Sequence, residues 1–80
     1  MTIVQAIIEV LKSENKPLKS NEIYQKIIDK KLYDFKAISP INIVRGQIRR
    51  HEMNSKMVNA SSVKYFRELS DGSFELISPK

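Results

Sequence analysis

Residues 39–52 read SPINIVRGQIRRHE, and the reading of this stretch decides the fold. Ser39 predicts a helix N-cap, and Pro40 suits the first helical turn, where a missing N–H leaves nothing unsatisfied. Ile38 and Ile43 stand at the positions of a hydrophobic staple, which would set the angle at which the chain joins the helix. At a helical period, Ile41, Val44 and Ile48 fall on one narrow apolar stripe. Asn42, Gly46, Arg49 and Arg50 lie on the opposite face, with Arg45 and Gln47 on its flanks. A helix with this front suits the major groove of duplex DNA, where Arg takes guanine and Asn or Gln takes adenine through paired hydrogen bonds. Gly46 weakens a helix, but it lets the backbone come close to a large partner. The bland alternative is a solvated face whose charges only keep a domain soluble, and the rest of the chain has to decide between them.

The 80 residues make one domain with a small core. The domain is expected over 1–78, with 79–80 as a tail or the start of a linker to a further domain beyond Lys80. With no Cys, disulfides and cysteine-ligated zinc are excluded, and stability must come from packed elements. No apolar run approaches the roughly 20 residues that span a bilayer, and the N-terminus lacks the layout of a signal peptide. A cytoplasmic protein without membrane association is the expectation. Net charge is +5, which suits a polyanion but is not specific to one. Its distribution is more telling: residues 40–56 carry +3 of it. Three of the four Arg stand there, whereas the first forty residues use only Lys. Arg is the side chain suited to flat, two-pronged recognition of phosphate and guanine.

Helix 1 is expected over 3–14, opened by a Thr2/Gln5 capping box and faced by Val4, Ile7, Ile8 and Leu11. Asn15-Lys16-Pro17 ends it, because Pro disfavours helical geometry in the residue before it. Leu18 is placed for a very short strand, and Ser20 then caps helix 2 over 21–31, with Ile23, Tyr24, Ile27, Ile28 and Leu32 inward. Tyr33 and Phe35 are too apolar to hang free, so at least one should pack under the connection. After helix 3, residues 54–62 are polar and small and predict a loop. The run 63–69 is rich in strand formers, and Asp71-Gly72 signals a hairpin. Two registers are open. A two-residue turn puts Tyr65, Leu69, Phe74 and Leu76 inward; a bulged three-residue loop favours Phe66, Phe74 and Leu76. The order is helix, short strand, helix, helix, hairpin. This is an α+β, mainly α, winged helix-turn-helix of three helices plus a C-terminal β-hairpin wing.

Several stretches together resemble one family: Asn15-Lys16-Pro17-Leu18, Ser20-Asn21-Glu22-Ile23, Ser39-Pro40, and the terminal Phe66…Leu69…Gly72-Ser73-Phe74-Glu75-Leu76. In that order and spacing the chain resembles the HARE type of winged helix-turn-helix domain over nearly its whole length. Ser39-Pro40 departs from the Thr-Pro frequent in the family but keeps the cap. The resemblance implies DNA binding and attachment to restriction enzymes or related DNA-processing modules. It also suggests the N-terminal module of a restriction-associated protein of the HrgA type.

From the residues, Asn42 and Arg45 are candidate base contacts, and Arg49 and Arg50 candidate phosphate contacts. Gln47 is a flank candidate. Lys64 and Arg67 are the cations of the wing, opposed there by Glu68, Asp71 and Glu75. Lys19 and Ser20 precede helix 2, where free N–H groups favour an anion, although plain capping also explains Ser20. His51 reads as a C-terminal-turn residue. Catalysis is unsupported. One His and no Cys offer no nucleophile–base pair. Glu14-Asn15-Lys16 and Asp29-Lys30-Lys31 superficially resemble the acid-x-Lys of some nucleases but fall at helix ends. Gly46 and Gly72 are the only glycines, too few for a phosphate loop. No cofactor, metal or small-molecule substrate is expected, and double-stranded DNA is the expected partner. The rival is a protein-docking module of the same fold, for instance on RNA polymerase, which would show an exposed apolar patch such as Ile43, Met53 and Met57.

Overall fold

The computed structural model describes residues 2–36, 38–53 and 64–77. Its elements are α1 Ile3–Glu14, α2 Ser20–Asp29, α3 Pro40–Arg50, β1 Phe66–Glu68 and β2 Phe74–Leu76. Three helices and a two-stranded antiparallel hairpin make the expected winged helix-turn-helix. The expected loop over 54–62, with Met57, and the tail over 78–80 lie outside the described residues.

The start of α1 is a reciprocal capping box. The Gln5 amide donates to Thr2 Oγ1 at 3.1 Å, and the Thr2 N–H donates to Gln5 Oε1 at 2.9 Å. Asn15 closes the other end in the left-handed conformation, φ 55°, with its N–H on the Leu11 carbonyl. The buried face is Ala6, Ile7, Val10 and Leu11, while Val4 and Ile8 are half-buried. The expected stripe is thus rotated toward Ala6 and Val10, because α1 is covered by α2 and α3 and also by β2.

Ser20 does not cap α2. Leu18 exchanges two backbone bonds with Phe74, of 3.0 and 2.8 Å, leaving the extended Lys19 as the N-cap residue. The Lys19 N–H donates to Glu22 Oε1 at 2.8 Å, and its carbonyl takes the first helical bond from Ile23. The helix stops at Asp29 rather than Lys31. Lys31 turns left-handed, φ 54°, its N–H reaching Ile28 and that of Leu32 reaching Ile27. This double bond is a Schellman stop, which folds Leu32 back toward the core. Ile23 and Ile27 are fully buried, but Ile28, expected inward, is exposed because it lies a quarter turn beyond the face that meets α1 and α3. Tyr33 and Phe35 do pack: their rings are 5.0 Å apart, and Phe35 is 5.5 Å from Tyr24, all half-buried against the core.

At α3, Pro40 holds the first position as expected, but Ser39 makes no side-chain cap. Its backbone, φ −124° and ψ 72°, departs from the extended geometry that folds the preceding residue onto the helix. Ile38 is consequently fully exposed, and no staple to Ile43 forms.

The hairpin register is Phe66↔Leu76, Arg67↔Glu75 and Glu68↔Phe74. The Leu69 N–H donates to the Ser73 carbonyl at 2.8 Å, so Ser70, Asp71 and Gly72 form a three-residue loop with Gly72 at φ 88°. The bulged alternative is the one adopted. Phe66 is fully buried and Tyr65 exposed, against the two-residue-turn reading. The hairpin is held on both edges, by the Leu18↔Phe74 bridge and by a parallel bridge from Glu52 to Phe66. Phe66 therefore joins Ile7, Ile23, Ile27, Val44 and Ile48 in one fully buried core.

Candidate nucleic-acid interface

Val44 and Ile48, both fully buried, set which way α3 faces. Its opposite side exposes Asn42, Arg45 and Arg49, with Gly46 and Gln47 partly exposed. Arg50 is half-buried and engaged within the chain. A Cβ on Gly46 would meet nothing within 4 Å. No packing inside the domain requires the glycine, and its consequence is a low spot on the exposed face.

Arg45 leans from α3 to the first turn of α2, where its Nε donates to Ser20 Oγ at 3.1 Å. Ser20 is buried, so this bond sits in a partly sheltered seam between the two helices. It uses one of the five guanidinium N–H donors and fixes the plane that carries the others. Sequence reasoning placed both residues at the interface but missed their bond, because the 25 positions between them carry no local signal.

Lys19 is exposed at the α2 start, close enough to the wing tip for its charge to be felt by Asp71. Asp71 Oδ1 accepts from the Ser73 hydroxyl at 2.6 Å and from the Ser73 N–H at 3.0 Å. The hydroxyl first, then the backbone N–H, hold its carboxyl below the ordinary value, and Lys19 adds a smaller pull. Asp71 thus closes the wing turn.

The two wing cations do not join this set. Arg67 is ion-paired across the hairpin with Glu75. Lys64 lines a cleft with Lys12 and Lys16 that includes no residue of α3. Lys19, Ser20, Asn42, Arg45, Gln47, Arg49 and Arg50 do come together, on two helices packed against each other.

A residue the sequence reading undervalued is Glu52, counted there only as an opposing charge. It is buried, and its Oε2 accepts the Glu68 N–H at 3.1 Å. Beside it, the C-cap residue His51 offers its carbonyl to the N–H groups of Tyr65 and Phe66, and its ring lies 5.2 Å from Tyr65. This turn locks the end of α3 to the wing. Among the described residues no three His, Asp or Glu side chains gather as a metal site, and no helix is long and apolar enough to cross a membrane.

Fold and site together define a winged helix-turn-helix domain. Residues 1–76 match the HARE-HTH model, the helix-turn-helix domain of ASXL and restriction endonuclease proteins, and the chain belongs to that family. The family is of the DNA-binding type rather than a catalytic one. No curated protein and no solved structure matches the chain significantly.

Proposed function

We propose that this domain binds double-stranded DNA with α3 in the major groove, as the cytoplasmic targeting module of a restriction- or DNA-processing-associated protein. The observation that carries the reading is the exposed Asn42, Arg45 and Arg49 face beside the open Gly46. Asn42 and Arg45, near the helix N-terminus, read base edges. Arg49, with Arg50 behind it, holds phosphate, and Lys19 contacts the backbone at the start of α2. Gly46 admits the close approach of a strand. Neutralising phosphates releases counterions, so affinity falls steeply as salt rises.

The test is a fluorescence-anisotropy titration of the domain against a labelled mixed-sequence duplex at low and moderate salt. Saturable, salt-sensitive binding lost in Arg49→Glu supports α3 as the reader. Unchanged affinity in that variant overturns it. An absence of binding even at low salt turns the assignment to the docking module.

A further inference from the structure

A cleft of about 830 Å³ opens between the C-terminal half of α1 and the hairpin, and no residue of α2 or α3 lines it. Its apolar lining comes from Ile8, Leu11, Tyr65, Leu76 and Ile77. Around that lining stand Lys12, Lys16 and Lys64. Among the described residues none of these three ammonium groups has a carboxylate within 4.0 Å, whereas Lys26, Lys30 and Lys36 each do. The one carboxylate in the cleft, Glu75, is already held by Arg67. The cleft is therefore apolar inside and positive at its margin.

The strand edge beside it is open. Phe74 turns its N–H and C=O to Leu18. By the alternation of an antiparallel ladder, Leu76 turns its own pair toward the same edge. Lys16 would face it there, but the chain bends at the left-handed Asn15 and Pro17 has no N–H. No bond between Lys16 and Leu76 forms. One donor and one acceptor are thus presented at the lip of the cleft.

We propose that this cleft is a docking site for an acidic, extended peptide segment of a partner protein. An apolar side chain enters between α1 and the hairpin, flanking Asp or Glu residues meet Lys12, Lys16 and Lys64, and the peptide backbone pairs with Leu76. The open edge distinguishes a peptide from other anions, since adding a strand is how extended peptides gain backbone bonds. The site shares no residue with the α3 face, so the domain holds DNA and a protein at once.

The test uses the full chain, 15N-labelled, titrated with the acetylated peptide Asp-Glu-Val-Phe-Val-Glu-Asp and with a counterpart bearing Lys at the acidic positions. The expected result is saturable amide shifts at Lys64, Tyr65, Leu76 and Ile77 with the acidic peptide only. The triple variant Lys12→Glu, Lys16→Glu, Lys64→Glu should lose at least about tenfold in affinity, roughly 1.4 kcal/mol. The milder Lys12→Gln, Lys16→Gln pair, both exposed, should lose less while melting like the parent. Shifts centred on α3, equal binding of the two peptides, or undiminished affinity in the triple variant overturn the proposal. So does displacement of the peptide by duplex DNA or by phosphatidylserine vesicles in preference to an acidic competitor.

Discussion

Arg45 and Ser20 illustrate how one hydrogen bond can set a functional side chain. The bond from Nε to Ser20 Oγ orients the guanidinium before any partner arrives, and pre-orientation reduces the entropy lost on binding. Ser20→Ala should therefore weaken duplex binding several-fold and lower stability by about 1 kcal/mol, read by anisotropy and chemical denaturation. Gly46 separates two effects. A Cβ there meets nothing within 4 Å, so Gly46→Ala should raise stability by about 0.5–1 kcal/mol. If a DNA strand approaches that spot, the same change should lower affinity. Higher stability with unchanged binding would remove Gly46 from the interface. Asp71 carries a pH signature. Its folded pKa is below the ordinary 3.8, mainly through the Ser73 hydroxyl, so the unfolded chain binds more protons between the two values. Its stabilisation is complete above the ordinary value and is lost as pH falls through the lowered one. Thermal melts from pH 5 to pH 2 should show that loss, and Asp71→Asn should remove that part of the acid dependence.

Each helix end obeys a local rule that the next element can overrule. Thr2 and Gln5 form the box their spacing predicts because nothing competes for the start of α1. Ser20 has the side chain of a cap and loses that position because Leu18 must pair with Phe74, which moves the cap to Lys19. The end of α2 offers a stability test. Lys31 adopts a left-handed φ of 54°, which glycine tolerates without a Cβ clash. Lys31→Gly should stabilise the domain by about 0.5–1 kcal/mol, as a higher denaturation midpoint with an unchanged slope. A loss of stability would show that the Lys31 side chain makes a contribution larger than the strain.

At the scale of the molecule, Phe66 binds the parts together. It is fully buried, and its strand is bridged by the turn that follows α3. Phe66→Ala should cost about 3–5 kcal/mol, a large share of the roughly 5–15 kcal/mol that holds a small domain folded. Circular dichroism should find the variant partly or wholly unfolded at ambient temperature. The whole surface also sets the salt response of the proposed complex. If Lys19, Arg45, Arg49 and Arg50 all neutralise phosphates, the logarithm of affinity should fall with that of salt at a slope of about −3 to −4. A shallower slope would mean that Arg45 spends its donors on a base.

The helices, their order, the hairpin and the α3 stripe were all legible in the sequence, because periodicity, caps and turn residues act within a few positions of themselves. So were the family resemblance and the residues that crowd the α2–α3 seam. The contacts between distant positions were not. The Ser20–Arg45 bond, the Leu18 bridge, the burial of Glu52 and the rotation of α1 toward Ala6 and Val10 all depend on which surfaces meet. The hairpin register belongs with them: either loop was compatible with Asp71-Gly72, and burial of Phe66 against the helices selected one. Pairing also took Arg67 out of the cationic face and left Lys64 in a cleft of its own. Local rules determine elements through a few neighbouring dihedrals, whereas a site is assembled by burial and pairing across the whole chain.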